Sequence, residues 1–557
     1  MADLRLYRLA FIPALAAAVV LAFSLQGVPA AVEPPPGTLE FDPQEAAELT
    51  RDVLALSESR EPGSEGDDAV ADLVAERFGS IVAGELGEQS VEADIDGEDV
   101  ELRNVLLTLP GPSDHAIVVI AGRDSREGEG APSSAAATGM LLELTNVLSV
   151  AGGNRTLILA STSGASAQAE GARELIAGLP EETVVDAVVV ISQPGFDEPF
   201  EPHLVMAGGL NGPPVGLART AEEILRDRAG MSPGKISAPG QIARYAFPAA
   251  SGEQAALIAD GLDAIAISSA GELPLPASES ERDRLDSETL NRVGPALVAL
   301  IAAIDAAPTA PARGPGNFLW AGDNLVPGWS VGLLVLTLLL PPLLVAANIF
   351  ARSSRENEGT RRAFSWALEW WLPATLVCLG VVALSIVGVI PATGVPYDPA
   401  RVELGASEAI ALVLLVLLAA WLWWILHLRR VPAPPGPRGA GAAAALAAVA
   451  ATGVVWLANP YLALLLLPLV HVVAVLGTAG RRPAALALPA LALALVPLLA
   501  ALVYVASALD WGASVPVQLA ALVAGGGIGP VQAIGALFAL SSVAAVTTAA
   551  LATVRAS

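Results

Sequence analysis

The chain is poor in several residue types at once. Of its 557 residues one is cysteine (Cys378), one is lysine (Lys235) and four are histidine. A lone cysteine excludes an intramolecular disulfide, and so a disulfide-stapled secreted module. Charged residues make up only 15% against 54% hydrophobic, with a mean hydropathy of +0.59. That average is too apolar for one soluble domain and too polar for a pure membrane bundle. It also excludes a disordered chain and a collagen-like fibre. The lysine deficit, set against 29 arginines, reads as GC-rich coding and points to a bacterial source.

Basic residues are scarcest where acids crowd. Between Ala31 and Pro315 lie 47 of the 56 Asp and Glu but 17 of the 30 Lys and Arg, a net of −30; the rest of the chain carries +4. An acidic, water-facing block is therefore joined to an apolar, slightly basic remainder. A block of that charge repels the phosphate backbone, so no nucleic-acid partner is expected.

A spanning helix needs about 20 apolar residues. Leu9 to Leu25 is a short candidate behind Arg5 and Arg8, and Val28-Pro29-Ala30 follows with small residues suited to signal-peptidase cleavage. A cleaved signal peptide and an uncleaved anchor both fit. Longer runs cover 329–350, 366–391, 406–427, 439–457, 461–478, 483–508 and 531–553, with 515–529 too short to span and read as re-entrant or interfacial. Clusters at Arg352, Arg355, Arg361 and Arg362, at Arg429, Arg430 and Arg438, at Arg481 and Arg482, and at Arg555 all fall on one side of this layout. The positive-inside rule makes that side cytoplasmic and puts residues 32–325 outside. The expected partner is a lipid bilayer, in a multi-pass cell-membrane protein whose termini are both cytoplasmic if the first segment stays. Mid-span His471 reads as a helix–helix hydrogen bond ahead of a proton relay, and the Ala-rich fifth and seventh spans suit close packing.

The outer block alternates helices and strands. Helical periodicity covers 44–58, 67–80, 135–150, 167–177, 214–229, 253–260 and 287–307; apolar strands cover 104–109, 115–121, 156–160, 184–191 and 264–267. This predicts an α/β domain, a mostly parallel sheet with helices on both faces. The boundaries expected are 1–31 for the signal or anchor, 32–307 for the domain, 308–328 for a proline-rich linker and 329–557 for about seven membrane helices.

Catalytic groups in such sheets gather beyond the carboxyl ends of the strands. There the sequence offers Gly122, Arg123, Asp124 and Ser125, then Ser133 and Ser134, the run Ser161 to Ser166, Ser192 and Gln193, and Gly252, Glu253 and Gln254. Hydroxyls and amides dominate, with no His pair, Cys cluster or phosphate-cradling loop. Only His115 and His203 lie in the block, so a Ser–His–Asp site lacks its histidine.

The order of short motifs nevertheless resembles the co-catalytic zinc aminopeptidases of clan MH over roughly 44–306. Arg60 to Gly66 is similar to that family's Arg-x-x-Gly-Ser-x-Gly turn, and Asn104 to Gly111 to its first core strand. Ala121-Gly122-Arg123-Asp124-Ser125 stands where the family has Ala-His-Tyr-Asp-Ser. Gly130 to Gly139 and Gly164 to Gly171 match its next two segments. The overall layout also resembles the endoplasmic-reticulum membrane metallopeptidases and the peptidase-like subunit of the glycolipid-anchor transamidase.

What the resemblance implies is a fold without its chemistry. The family's first zinc-ligand histidine falls on Gly122, its bridging aspartate on Ser134, its general base on Ala165, its glutamate ligand on Ser166, its second aspartate on Ser192 and its last histidine on Gln254. Only Asp124 keeps a family carboxylate, and capping or pairing with Arg123 or Arg126 is its structural alternative; Glu127 and Glu129 read as a solvated loop. Zinc, the cofactor the family implies, needs imidazole, thiolate or carboxylate donors, so no cofactor is expected. The function expected is a non-catalytic pseudopeptidase that binds a peptide, a lipid-linked ligand or a membrane-protein partner in a vestigial cleft. The alternatives are an active metallopeptidase with relocated ligands, and a transporter or channel with an accessory domain.

Overall fold

A computed structural model describes residues 4–37, 39–57, 59–95, 98–125, 131–195, 203–230, 236–274, 286–356, 360–392, 394–401, 405–428, 437–478 and 484–555. The chain opens with α1 (Leu4–Leu9), α2 (Phe11–Phe23) and a two-residue strand, β1 (Gln26–Gly27). The α/β domain follows as α3 (Pro43–Leu56), α4 (Glu65–Gly79), β2 (Glu85–Ile95), β3 (Glu98–Leu109), β4 (His115–Gly122), α5 (Ala131–Ser149), β5 (Thr156–Thr162), α6 (Glu170–Ala177), β6 (Val184–Ile191), β7 (His203–Val205), α7 (Val215–Ala229), α8 (Ala238–Ala246), α9 (Glu253–Ala259), β8 (Ala264–Ser268) and α10 (Ser287–Ala306). Helix starts follow capping chemistry. Asp42 accepts from the N–H groups of Gln44 and Glu45 with Pro43 at the first helical position, Ser64 accepts from Asp67, and Asp286 accepts from Glu288 and Thr289.

Seven strands form one sheet in the order β2-β3-β5-β4-β6-β8-β7. The central four, β5, β4, β6 and β8, run parallel; β2, β3 and β7 are antiparallel to their neighbours. The sheet is thus mixed, which corrects the expectation of a mostly parallel one. The parallel strands are covered on both faces and so read as unbroken apolar runs, as in His115 to Gly122. The edge strand β2 carries Glu85, Glu88, Glu92 and Asp94 and buries only Val91 and Ala93, so its charge hides it from hydropathy. One core layer packs α3, α5, α7 and α10 on one face of the sheet, and a smaller one packs α6 and α9 on the other.

Within residues 308–328, expected as a linker, 318–327 carry two strands. Strands β9 (Phe318–Ala321) and β10 (Asn324–Pro327) form a hairpin, and β1 joins β10 through Gln26 and Leu325. The pairing partner lies about 300 residues upstream, which is why the segment reads as a proline- and glycine-rich connection.

Among the described residues nine α-helices follow: α11 (Gly328–Arg355), α12 (Thr360–Glu369), α13 (Leu372–Ile386), α14 (Ala406–Leu428), α15 (Pro437–Ala458), α16 (Pro460–Thr478), α17 (Ala484–Ala508), α18 (Val515–Ala524) and α19 (Pro530–Arg555). Seven helices of the described residues are long and apolar enough to cross a membrane, and α12 with α13 makes one more candidate bent by 44°. One of the seven is α10, whose apolarity serves the domain core: Leu290, Val293, Leu297, Leu300 and Ile304 are buried there. Ala-rich α15 sits at the centre of the bundle, where Gly441 meets Gly477 of α16 backbone to backbone. Equally Ala-rich α17 lies at the periphery, 22% buried. His471 joins elements: Tyr7 of α1 bonds its Nδ1, and its Nε2 lies 2.9 Å from the Leu338 carbonyl of α11.

The two halves meet along α8 and the α13–α14 loop. Asn459, between α15 and α16, donates to the Tyr245 carbonyl at 2.8 Å, and Tyr245 stacks on Tyr461 with centroids 4.6 Å apart. The Ala250 N–H donates to the Tyr397 carbonyl at 3.0 Å, and Arg173 donates to the Val395 carbonyl at 2.9 Å.

Candidate functional site

A cavity of about 140 Å³ opens beyond the carboxyl ends of β4, β5 and β6. Gly122 is the last residue of β4, and Asp124 follows two places on. Ser134 lies in the first turn of α5, Ala165 and Ser166 in the turn after β5, and Ser192 just past β6. These six sequence-expected positions line the one cavity. Gln254 does not line it. Its amide turns back to donate to the Ser251 carbonyl at 2.6 Å and is 2% exposed. Its neighbour Glu253 faces the cavity instead. Adjacent residues on a helix point about 100° apart, so a one-residue slip in motif alignment exchanges an inward side chain for a buried one. Glu127 and Glu129 lie outside the described residues, as do Arg126 and the side chain of His203.

Each carboxylate facing the cavity is engaged by the protein. Asp124 accepts from the N–H groups of Ala165 and Ser166, both at 2.8 Å, and from the Ser166 hydroxyl at 2.6 Å. It therefore caps the turn after β5 and does not pair with Arg123. That arginine points the other way, into a fully buried ion pair with Asp67 at 2.8 Å, while its other nitrogens donate to the Ser161 and Arg103 carbonyls. Glu253 accepts from the Thr162 hydroxyl at 2.8 Å. Glu272 pairs with Arg244 at 2.6 Å and accepts from the Ser251 N–H. Asp398 arrives from the α13–α14 loop and accepts from the Ser251 hydroxyl at 3.1 Å and the Gly252 N–H at 3.3 Å. Beside it, burial and then the Asp398 charge push the Tyr397 hydroxyl upward in pKa, which keeps it a donor to Gln518 of α18.

Nothing in the sequence marks Glu272 or Asp398 for this site. Asp398 is 147 residues from Ser251 and reads as a loop charge. His115 sits at the opposite end of the sheet, where its Nδ1 and Arg155 share the Asp186 carboxylate at 2.7 and 2.6 Å.

The zinc pair that the resemblance implies does not fit these residues. A Cβ added at Gly122 would overlap that of Ala165 and stand 3.2 Å from Glu253 Oε2, so the turn after β5 fills the room a histidine would need. Ala165 brings no donor and the serines bring neutral ones, while zinc sites are built from charged or imidazole ligands. Among the described residues no three His, Cys, Asp or Glu converge. Two polar atoms of the cavity wall, the Ser125 and Ser133 hydroxyls, are buried without a hydrogen-bond partner.

No family model and no curated protein matches the chain. Solved structures similar to it cover about half its length. A glutaminyl cyclase from an Acidobacteriales bacterium is 17% identical and covers 50% of this chain and 99% of its own, at a TM-score of 0.38. LapB from Legionella pneumophila is 14% identical over 51% and 79%, at 0.40. The zinc aminopeptidase BSAP from Bacillus subtilis is 10% identical over 50% and 99%, at 0.39.

Proposed function

We propose that the chain is a multi-pass membrane protein whose α/β domain is a non-catalytic, aminopeptidase-like binding module, a pseudopeptidase. The observation that carries this reading is the division of labour in the cleft. Every carboxylate facing it already has a protein donor, whereas the Ser125 and Ser133 hydroxyls are buried and unpartnered. A hydrolytic metal site needs free charged donors, a metal-bound water and a base, and Ala165 stands at the base position. The hydroxyls of the half-buried Ser134, Ser166 and Ser192 on the cleft lining suit a neutral amide or carbonyl, as at the end of a peptide.

Membrane insertion is supported by α14, whose Val413, Leu414, Leu417, Leu418 and Trp421 are all exposed. A contiguous apolar surface of that size is costly in water. The α13–α14 loop and the α15–α16 turn touch the domain, whereas Arg352 and Arg355 end α11 at the far side. With the positive-inside rule this supports a domain outside the cytoplasm. Retention of the first segment as an anchor is supported by the Tyr7–His471 bond and by the β1–β10 pairing, which continues as Val28 N–H to the Asp323 carbonyl.

The test is elemental analysis of the purified full chain, together with peptidase and glutaminyl-cyclisation assays with and without added zinc. The reading expects no stoichiometric zinc and no turnover. About two zinc ions per chain, with chelator-sensitive release of amino acids, would overturn it.

A further inference from the structure

A second cavity, of about 500 Å³, lies between β7, α7, α8 and β9. It falls within the roughly 300–1,000 Å³ of ordinary ligand pockets, and the cleft of about 140 Å³ does not. Its walls are apolar, with Val205 and Met206 from the β7 segment, Ala218 from α7, Tyr245 from α8, and Phe318 and Trp320 from β9. The polar side chains on its lining are turned to protein partners. Gln241 donates to the Ile236 and Trp320 carbonyls and accepts from the Trp320 N–H. Arg244 pairs with Glu272, Glu222 with Arg219 and Arg226, and Asn211 donates to the Ile258 and Ala259 carbonyls. The surface left to a ligand is mainly hydrocarbon.

The position of the cavity points to a source. Helix α8 lies across the domain-side ends of α16 and α17, with the Tyr504 hydroxyl of α17 against Gly240. Below Tyr504 the outer face of α17 is a row of exposed apolar residues, Leu493, Val496, Leu499 and Val503. At the cavity rim Ile236 is 41% exposed. An apolar track thus leads from the outer face of the bundle, over Tyr504, to the start of α8.

We propose that this cavity holds an acyl chain of a membrane lipid, taken from the leaflet on the domain's side. The proposal rests on the membrane reading above and not on the absence of catalysis. Apolar burial is favourable when it removes surface from water, and a chain already in a bilayer gains little of this. Occupancy therefore depends on the fit of the cavity, and filling the cavity removes it.

The experiment uses the full chain in nanodiscs containing phosphatidylcholine with a diazirine near the end of one acyl chain. After irradiation, adducts are mapped by peptide mass spectrometry. The expected result is adducts on the Leu204–Met206, Tyr245 and Trp320 peptides in addition to α14 and α17. Met206→Trp and Ala207→Trp, each filling the cavity from a half-buried position, should lose the domain adducts and keep those on α14 and α17. Adducts on the bundle alone in the unsubstituted chain would overturn the proposal, as would domain adducts indifferent to both substitutions. Labelling of the cavity by a photoreactive leucine-rich peptide, but not by lipid, would make the occupant a peptide and overturn it too. No adducts anywhere would overturn the membrane reading, and this proposal with it.

Discussion

Asp124 decides between a structural and a chemical account of the cleft. Replacing it by alanine removes one carboxylate and three hydrogen bonds, at 2.8, 2.8 and 2.6 Å, all to the turn at Ala165 and Ser166. Bonds to a charged group contribute about 1.5–3 kcal/mol each. Ala165 and Ser166 are only half-buried, so water can replace part of what is lost. The combined cost is then nearer to about 3 kcal/mol than to the sum. Three kcal/mol is about a hundredfold in a local opening equilibrium. Amide exchange over residues 162–170 should therefore accelerate by about two orders of magnitude. The domain's melting point should fall by about 6–12 °C, at 2–4 °C per kcal/mol for a domain of this size. Circular dichroism is the better monitor, because none of the ten tryptophans lies within residues 32–307. Asp124→Asn keeps one acceptor and should show a smaller effect in both measurements. Unchanged exchange and melting in Asp124→Ala, together with loss of bound metal or of turnover, would refute the capping account and restore Asp124 to a chemical role.

Arg123→Met should be the more damaging neighbour. It strands the fully buried Asp67 carboxylate, and breaking such a pair costs about 3–5 kcal/mol. Adding Asp67→Leu should recover part of that loss in a thermal melt; a single substitution costing under about 1 kcal/mol would contradict the buried-pair geometry. For sidedness, Cys378→Ala chains carrying a cysteine at Ser354 or at Ser407, both exposed, should label from opposite faces of sealed vesicles. Labelling from the same face would sink the proposed layout.

Much of the fold was legible because burial on both faces leaves a simple signature. Strands β4, β5, β6 and β8 are short apolar runs between turn residues, and α3, α4 and α5 keep a helical periodicity. The missed elements have one side in water or a distant partner. Strand β2 hides behind its acids. The β9–β10 hairpin depends on β1, and α8 is short and buried mainly against the bundle. In the cleft, positions fixed by strand ends were readable, since the end of a parallel strand also fixes where the next side chains emerge. The inward turn of Glu253 and the arrival of Asp398 were not. One needs the rotation of a helix to be known, and the other a contact between segments that composition assigns to different halves of the chain.

That last contact shows why the charge boundary and the packing boundary differ. Acidic composition stops near Pro315, where on the proposed membrane reading the chain beyond no longer faces water. Composition tracks solvent; it does not record which surfaces touch. The cleft wall is completed from the other side of that boundary by Asp398, held through Ser251 and Gly252. The adjoining Tyr397 is fully buried, bonded to Gln518 of α18 and paired with Ala249 of the domain. Cutting the chain at residues 308–328 would remove one wall of the cleft, expose the underside of α8 and separate β9 and β10 from either the domain or the bundle. The acidic block therefore ends at the linker on the sequence, while the structure that shapes the cleft continues to Ala400.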